Sequence, residues 1–148
     1  MADDLDIACV NLQAQPVDEQ RLMKAVRAVL RSAQIARGEI SLTIVDDARM
    51  QELNREHLEH DYPTDVLSFL LDRSDDRLDG EIIVSADYAA AEADRYGWGK
   101  ENELLLYVVH GALHLIGYDD TTPEAAAEMR AQERLQLATF GLTPPGRD

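Results

Sequence analysis

The sequence predicts an α+β fold in a single small domain, and two observations carry that reading. Four short stretches have the alternation or the compact apolar runs of β-strands: 4–12, 39–45, 66–71 and 81–85. Five longer stretches keep helical spacing: 18–35, 46–57, 86–96, 100–116 and 121–140. Four of these five are followed by a glycine suited to ending a helix, namely Gly38, Gly97, Gly117 and Gly141. Helices fall before, between and after the strands, which indicates an α+β architecture. Strand order is not legible in such a pattern.

Leu5, Ile7 and Cys9 line one side of the first strand. Asp18 suits a helix N-cap, with Val17 and Leu22 spaced as a hydrophobic staple around it. Leu22, Val26, Val29, Leu30 and Ala33 then keep helical spacing to about Ile35. Ile40, Leu42 and Ile44 alternate as the second strand, and Asp46 or Asp47 caps a short helix carrying Met50, Leu53 and His57. His60-Asp61-Tyr62-Pro63 reads as a turn. Val66 to Leu71 is apolar on both faces, which predicts an inner strand, and the charged stretch 72–80 reads as a mobile loop. Residues 81–85 form the fourth strand, and Ala86 to Tyr96 an alanine-rich helix. Lys100 to Ile116 is apolar over most of its girth, so a buried helix is expected. Thr121, Thr122 and Pro123 open the last helix, and the Pro144-Pro145 tail reads as disordered.

A chain of 148 residues is long enough to bury a core. No apolar run approaches the length of a membrane span, and the acidic start Met1-Ala2-Asp3-Asp4 lacks the pattern of a signal peptide. Cys9 is the only cysteine, so no internal disulfide forms, and a cytoplasmic location is expected. Fourteen Lys and Arg against 29 Asp and Glu give a net charge of −15. Such a surface opposes long-range attraction to nucleic acid, so composition alone argues against an RNA-directed protein, although a negative average leaves room for a local basic cleft.

The chemistry concentrates at the end of the apolar helix, in His110-Gly111-Ala112-Leu113-His114-Leu115-Ile116-Gly117-Tyr118-Asp119-Asp120. Residues four apart lie on one helix face, so His110 and His114 project together and two imidazole nitrogens reach one metal ion. Gly117 ends the helix, and the chain turns back with Asp119 and Asp120. The spacing His-x3-His-x5-Asp offers two nitrogens and one oxygen, a set that zinc accepts while keeping a position open for water. A histidine pair on an apolar helix is otherwise a core feature, but imidazoles without partners are unfavourable there. In the metalloprotease motif the residue after the first histidine is a catalytic glutamate; here it is Gly111, which argues against a peptidase.

His-Gly-x-Leu-His-Leu-x-Gly-Tyr-Asp resembles the signature of the YbeY family, bacterial metal-dependent endoribonucleases of ribosomal RNA maturation. Leu53-Asn54, Asp61-Tyr62-Pro63-Thr64-Asp65-Val66-Leu67-Ser68-Phe69 and Gly80-Glu81-Ile82-Ile83-Val84-Ser85 agree in order and spacing, as does Glu103. The resemblance covers roughly residues 40 to 140. It implies a small mixed sheet with the histidine helix beside it. It also implies hydrolysis of RNA by a metal-activated water, in ribosomal RNA maturation and ribosome quality control. Ribosomal RNA and the small ribosomal subunit or its proteins are the implied partners, and a non-catalytic, metal-stabilised ribosome-assembly factor is the alternative to the nuclease. It assigns His110, His114 and Asp120 as the metal ligands, since Asp120 occupies the third-ligand position and Asp119 matches the family's own aspartate. Asp65 and Glu103 become candidates for groups that hold the ligands in place. Zinc is the expected ion, and the carboxylate widens tolerance for manganese or iron. Two departures stand out: the third ligand is normally histidine, and the arginine usually found three residues before Asp61 is Leu58.

Overall fold

The computed structural model describes residues 3–58 and 64–146. Strand β1 (Asp4–Asn11) leads through helix α1 (Glu19–Ser32) to β2 (Arg37–Val45). Helix α2 (Asp47–Leu58) precedes the hairpin β3 (Val66–Ser74) and β4 (Arg77–Ser85), and α3 (Ala86–Tyr96), α4 (Lys100–Leu115) and α5 (Pro123–Ala138) follow. The sheet is mixed, with order β1-β2-β4-β3. β1 pairs parallel to β2 and β2 parallel to β4, while β3 runs antiparallel to β4. No described helix is long and apolar enough to cross a membrane.

Local chemistry sets the helix ends. Asp18 accepts a hydrogen bond from Arg21 N–H (3.1 Å), and Thr122 Oγ1 accepts one from Ala125 N–H (3.0 Å) with Pro123 at the first helical position. Of the two candidate caps for α2 it is Asp46 that serves, accepting from Arg49 N–H at 2.8 Å. Helix α1 stops at Ser32, earlier than its apolar spacing suggests. Gln34 takes a positive φ of 63° and turns Ile35 into the core, so Ile35 extends the apolar pattern without extending the helix.

Two sequence expectations fail in the same place. Val66 to Leu71 is not an inner strand: β3 is a sheet edge, and Leu70 and Leu71 are exposed beside a bulge between Leu70 and Asp72. The charged stretch 72–80 is not a loop: it is the end of β3, the hairpin tip and the start of β4. Asp72, Arg73 and Ser74 pair with Asp79, Leu78 and Arg77, and Asp75 takes the positive φ of 48° that the tight turn needs. Polar side chains at an edge have solvent on one side, so a strand there needs no apolar alternation. The strand buried on both faces is β4. Its Leu78, Ile82 and Val84 join the main core, and Ile83 meets Val45, Met50, Leu53 and Leu67 under α2. The Pro144-Pro145 tail, expected to be disordered, is half-buried, and Leu142 N–H donates to the Leu137 carbonyl at 3.1 Å. The turn expected at 60–63 and the Leu58 side chain lie outside the described residues.

Helix α4 is the centre of the main core, packed between the sheet, α1, α3 and α5. From Glu103 to Leu115 every residue is buried except His110 and His114. Each fully buried leucine or valine there contributes about 1.5–3 kcal/mol relative to exposure. That stability holds the helix, and so the two histidines, in a fixed position on the sheet.

Candidate metal centre

His110 and His114 lie one turn apart on the single open stripe of α4. Their Nε2 atoms approach to 3.1 Å, with the rings nearly perpendicular at 84°. Both Nδ1 atoms are already engaged. His114 Nδ1–H donates to the backbone carbonyl of Tyr118 (3.0 Å), and His110 Nδ1–H donates to Glu133 Oε2 (2.7 Å). Carbonyl and carboxylate oxygens accept only, which fixes the tautomers and leaves each Nε2 as the free donor atom. Two imidazole lone pairs facing each other at this distance repel unless a cation lies between them, either a proton or a metal ion. Zinc bonds of about 2.05 Å in a tetrahedron place their nitrogens about 3.3 Å apart, so the observed pair fits the ion closely.

The third group is Asp120, whose Oδ2 lies 3.7 Å from His110 Nε2. One ligand atom from each of His110, His114 and Asp120 falls within 4.8 Å of the others. Gly117 makes this return possible. It has a φ of +110°, and Tyr118 N–H reaches back to the Leu113 carbonyl at 3.0 Å, reversing the chain directly after the helix. Asp119 is directed elsewhere: its Oδ1 accepts from the backbone N–H and the hydroxyl of Thr121, at 3.2 and 3.0 Å. Asp120→Ala is therefore expected to weaken metal binding far more than Asp119→Ala. Titration of both proteins with a competing chelator checks this, and equal losses would remove Asp120 from the ligand set.

Glu133 is the residue that sequence reasoning missed. It lies 23 positions after His110 and reaches it only because α5 packs across α4. A signal existed: Met129, Glu133 and Leu137 share one face of α5, and both apolar neighbours are buried. An acid in that stripe requires a partner. Burial alone lowers the His110 pKa, but the Glu133 hydrogen bond and the charges of Glu133, Asp65 and Asp120 together raise it. Such a carboxylate fixes the ring and makes the opposite nitrogen a better donor. Glu133→Gln is expected to reduce metal affinity about 10–100-fold while the His114 contact stays intact. An unchanged affinity would show that Glu133 only fills space.

The two remaining candidates separate. Asp65 lines a cleft of about 300 Å³ together with His110, Asp120 and Glu133. Its Oδ1 is held by Val66 N–H (2.8 Å) and the Thr64 hydroxyl (3.2 Å), which orients the carboxylate at the entrance to β3. Glu103 is fully buried near the start of α4, where its Oε1 accepts from the Trp98 indole at 2.7 Å. It anchors the loop between α3 and α4, so Trp98 is a loop anchor too. A cavity of similar size, about 320 Å³, lies between α1 and the first turns of α3 and α4, and none of the expected site residues lines it.

Gly111, the position that argued against a peptidase, faces the sheet. A Cβ there would fall 2.8 Å from Ile82 Cγ2, 2.9 Å from Ser68 Oγ and 3.0 Å from Val66 Cγ2. The Ser68 hydroxyl donates to the Gly111 carbonyl at 3.0 Å. No side chain at this position has room to serve the metal cleft.

Fold and site together define a small mixed-sheet α+β protein with a His-His-Asp group of metal-binding geometry in an open cleft. The family profile described as Endoribonuclease YbeY matches residues 8–141, and the chain belongs to that family. A protein named endoribonuclease YbeY from Desulfitobacterium hafniense is 46% identical over 134 residues, covering 84% of this chain and 83% of the relative. Its namesake in Moorella thermoacetica is 43% identical over 149 residues, covering 89% and 95% of the two chains. That of Roseiflexus castenholzii is 41% identical over 152 residues, covering 96% of each. The solution structure of a Thermotoga maritima protein shares the fold, with a TM-score of 0.58 at 23% identity over 97% of this chain and 99% of the other.

Proposed function

We propose that this chain is a metal-dependent endoribonuclease that cleaves single-stranded regions of ribosomal RNA during maturation and quality control of the small ribosomal subunit, in the cytoplasm. Zinc is the expected ion, and manganese or iron is compatible with the oxygen ligand. The observation that carries the reading is the pair of Nε2 atoms 3.1 Å apart, each with its Nδ1 already held by an acceptor. That arrangement is built for a cation, and the relatives that share the chain nearly end to end are named as endoribonucleases.

His110, His114 and Asp120 would hold the ion. When bound, it supplies Lewis acidity, lowering the pKa of a water and polarising a phosphoryl oxygen. The protein's part is positioning. Glu133 and the Tyr118 carbonyl fix the two rings, so the imidazoles need not reorganise during the reaction. Asp120 is half exposed and stands on the solvent side, which leaves the cleft open to a polymer strand. Asp65 acts on His110 through its charge, and Glu103 acts at a distance by holding the Trp98 loop.

The test is cleavage of a ribosomal RNA fragment by purified protein of measured metal content, before and after chelation and after restoring zinc. Activity that follows the metal supports the reading. Cleavage that persists in fully metal-free protein, or a zinc-replete protein that cleaves nothing, would overturn it.

A further inference from the structure

The cleft beside His110 does not end at the ligands. Arg130 and Glu133 also line a second depression of about 250 Å³, which continues along α5 past Arg134 to Pro144 and Pro145. Leu106 forms part of both floors, so the two make one groove. Arg130 is the only Lys or Arg among the described residues that line the metal cleft, and Arg134 is the only further one in its continuation. They are four apart on α5 and so lie on one face, about 6 Å apart along the helix axis. Both are exposed, and neither has an ion pair or hydrogen bond among the described residues. The nearest acid on that stretch, Glu133, is engaged by His110 at 2.7 Å. Two uncommitted guanidinium groups make this groove locally basic in a chain of net charge −15.

We propose that Arg130 and Arg134 bind successive phosphates of the RNA and set the direction in which the strand leaves the cleavage site, along α5 toward residues 144–146. This rests on the endoribonuclease reading above. Guanidinium groups suit phosphate because their planar donors match its oxygens in pairs. The half-buried Pro144 and Pro145 line the far end of the groove and give it an apolar wall. The wider acidic surface repels RNA elsewhere, so these two contacts carry most of the salt-dependent binding.

The experiment is fluorescence anisotropy with a labelled single-stranded oligouridylate, titrated from low to moderate salt, using full-length protein of measured metal content. Each phosphate contact contributes about 0.7 to the slope of log affinity against log salt for single strands. Arg130→Ala/Arg134→Ala should therefore lose about 1.4 in slope and about 25-fold in affinity at 0.1 M salt, with metal content and melting temperature unchanged. Lys24→Ala, an exposed cation elsewhere on α1, should leave the slope as it is. Arg130→Lys should keep most of the salt slope, because the charge remains. Wild-type slope and affinity in the double variant would overturn the proposal, as would a wild type with no measurable affinity at low salt. A wild type that binds RNA through these arginines but cleaves nothing would leave this path standing and sink the nuclease reading. A wild type that cleaves, with both variants unaffected, would sink the path alone.

Discussion

His114→Ala protein is expected to purify without bound metal and to fold as well as the parent. The substitution removes one of two nitrogens from the ligand set and leaves a histidine and an exposed carboxylate, too few to hold zinc against water. Its cost to the fold is small, because His114 is only half-buried and alanine is the best helix former. Cleavage of RNA should fall by about 10³-fold, corresponding to the several kcal/mol that a Lewis acid contributes to such a transition state. Elemental analysis and thermal unfolding, run on the same preparation, separate the two effects. A full complement of metal in this variant would refute the ligand assignment. A collapsed melting temperature would show that the residue is structural.

Gly111→Glu should have the opposite profile, a loss of the fold itself. Its Cβ alone would fall within 3.0 Å of Val66, Ser68 and Ile82, and the carboxylate would be driven into the seam between α4 and the sheet. Burying an unpaired charge and lifting the central helix together cost more than about 4 kcal/mol, a large share of a domain's stability. The milder Gly111→Ala keeps the idea testable if the glutamate protein never folds. Overpacking costs about 1–3 kcal/mol, and loss of the Ser68 hydroxyl bond about 1 kcal/mol more. The helix preference of alanine returns about 1 kcal/mol. The net loss of about 1–3 kcal/mol corresponds to a melting temperature lower by roughly 3–10 °C. A variant as stable as the parent would mean that α4 and the sheet separate more easily than their packing implies. The same contact explains why a protease-type glutamate is excluded here: the position following His110 points away from the cleft.

What the sequence disclosed depended on how local the cause was. Caps at Asp18 and Thr122, the stop at Gly117 and the pairing of His110 with His114 are set by neighbours within a few residues, and all were legible. The hairpin was not. Its apolar stretch, Val66 to Leu71, carries the pattern of a doubly buried strand yet lies at an edge, while the charged end of β3 and the tip, residues 72–75, are exposed to water and need no pattern. Strand order was equally hidden, since β2 pairs with β4 across the intervening α2 and β3. The resemblance of the motifs pointed to the same three residues, His110, His114 and Asp120, that the structure brings together. Glu133 escaped because its partner lies on another helix, and only the packing of α5 on α4 brings them together. Glu103 has a partner in the adjoining loop, in keeping with its distance from His110 along the helix.

The three side chains that could hold a metal ion all come from one short stretch, His110 to Asp120. A denatured chain keeps them within a few residues of one another, and closing so small a loop costs little entropy. The unfolded ensemble therefore has an affinity of its own for the ion. Stabilisation by a ligand depends on the difference between native and unfolded binding, so this denatured-state affinity subtracts directly from the benefit of loading. The native excess comes from what folding alone brings to the site: Glu133 from α5, the rigid helix beneath the rings and the reversed chain that presents the Tyr118 carbonyl. Added metal should raise the melting temperature by less than its native dissociation constant implies, and Glu133→Gln should narrow that gain further.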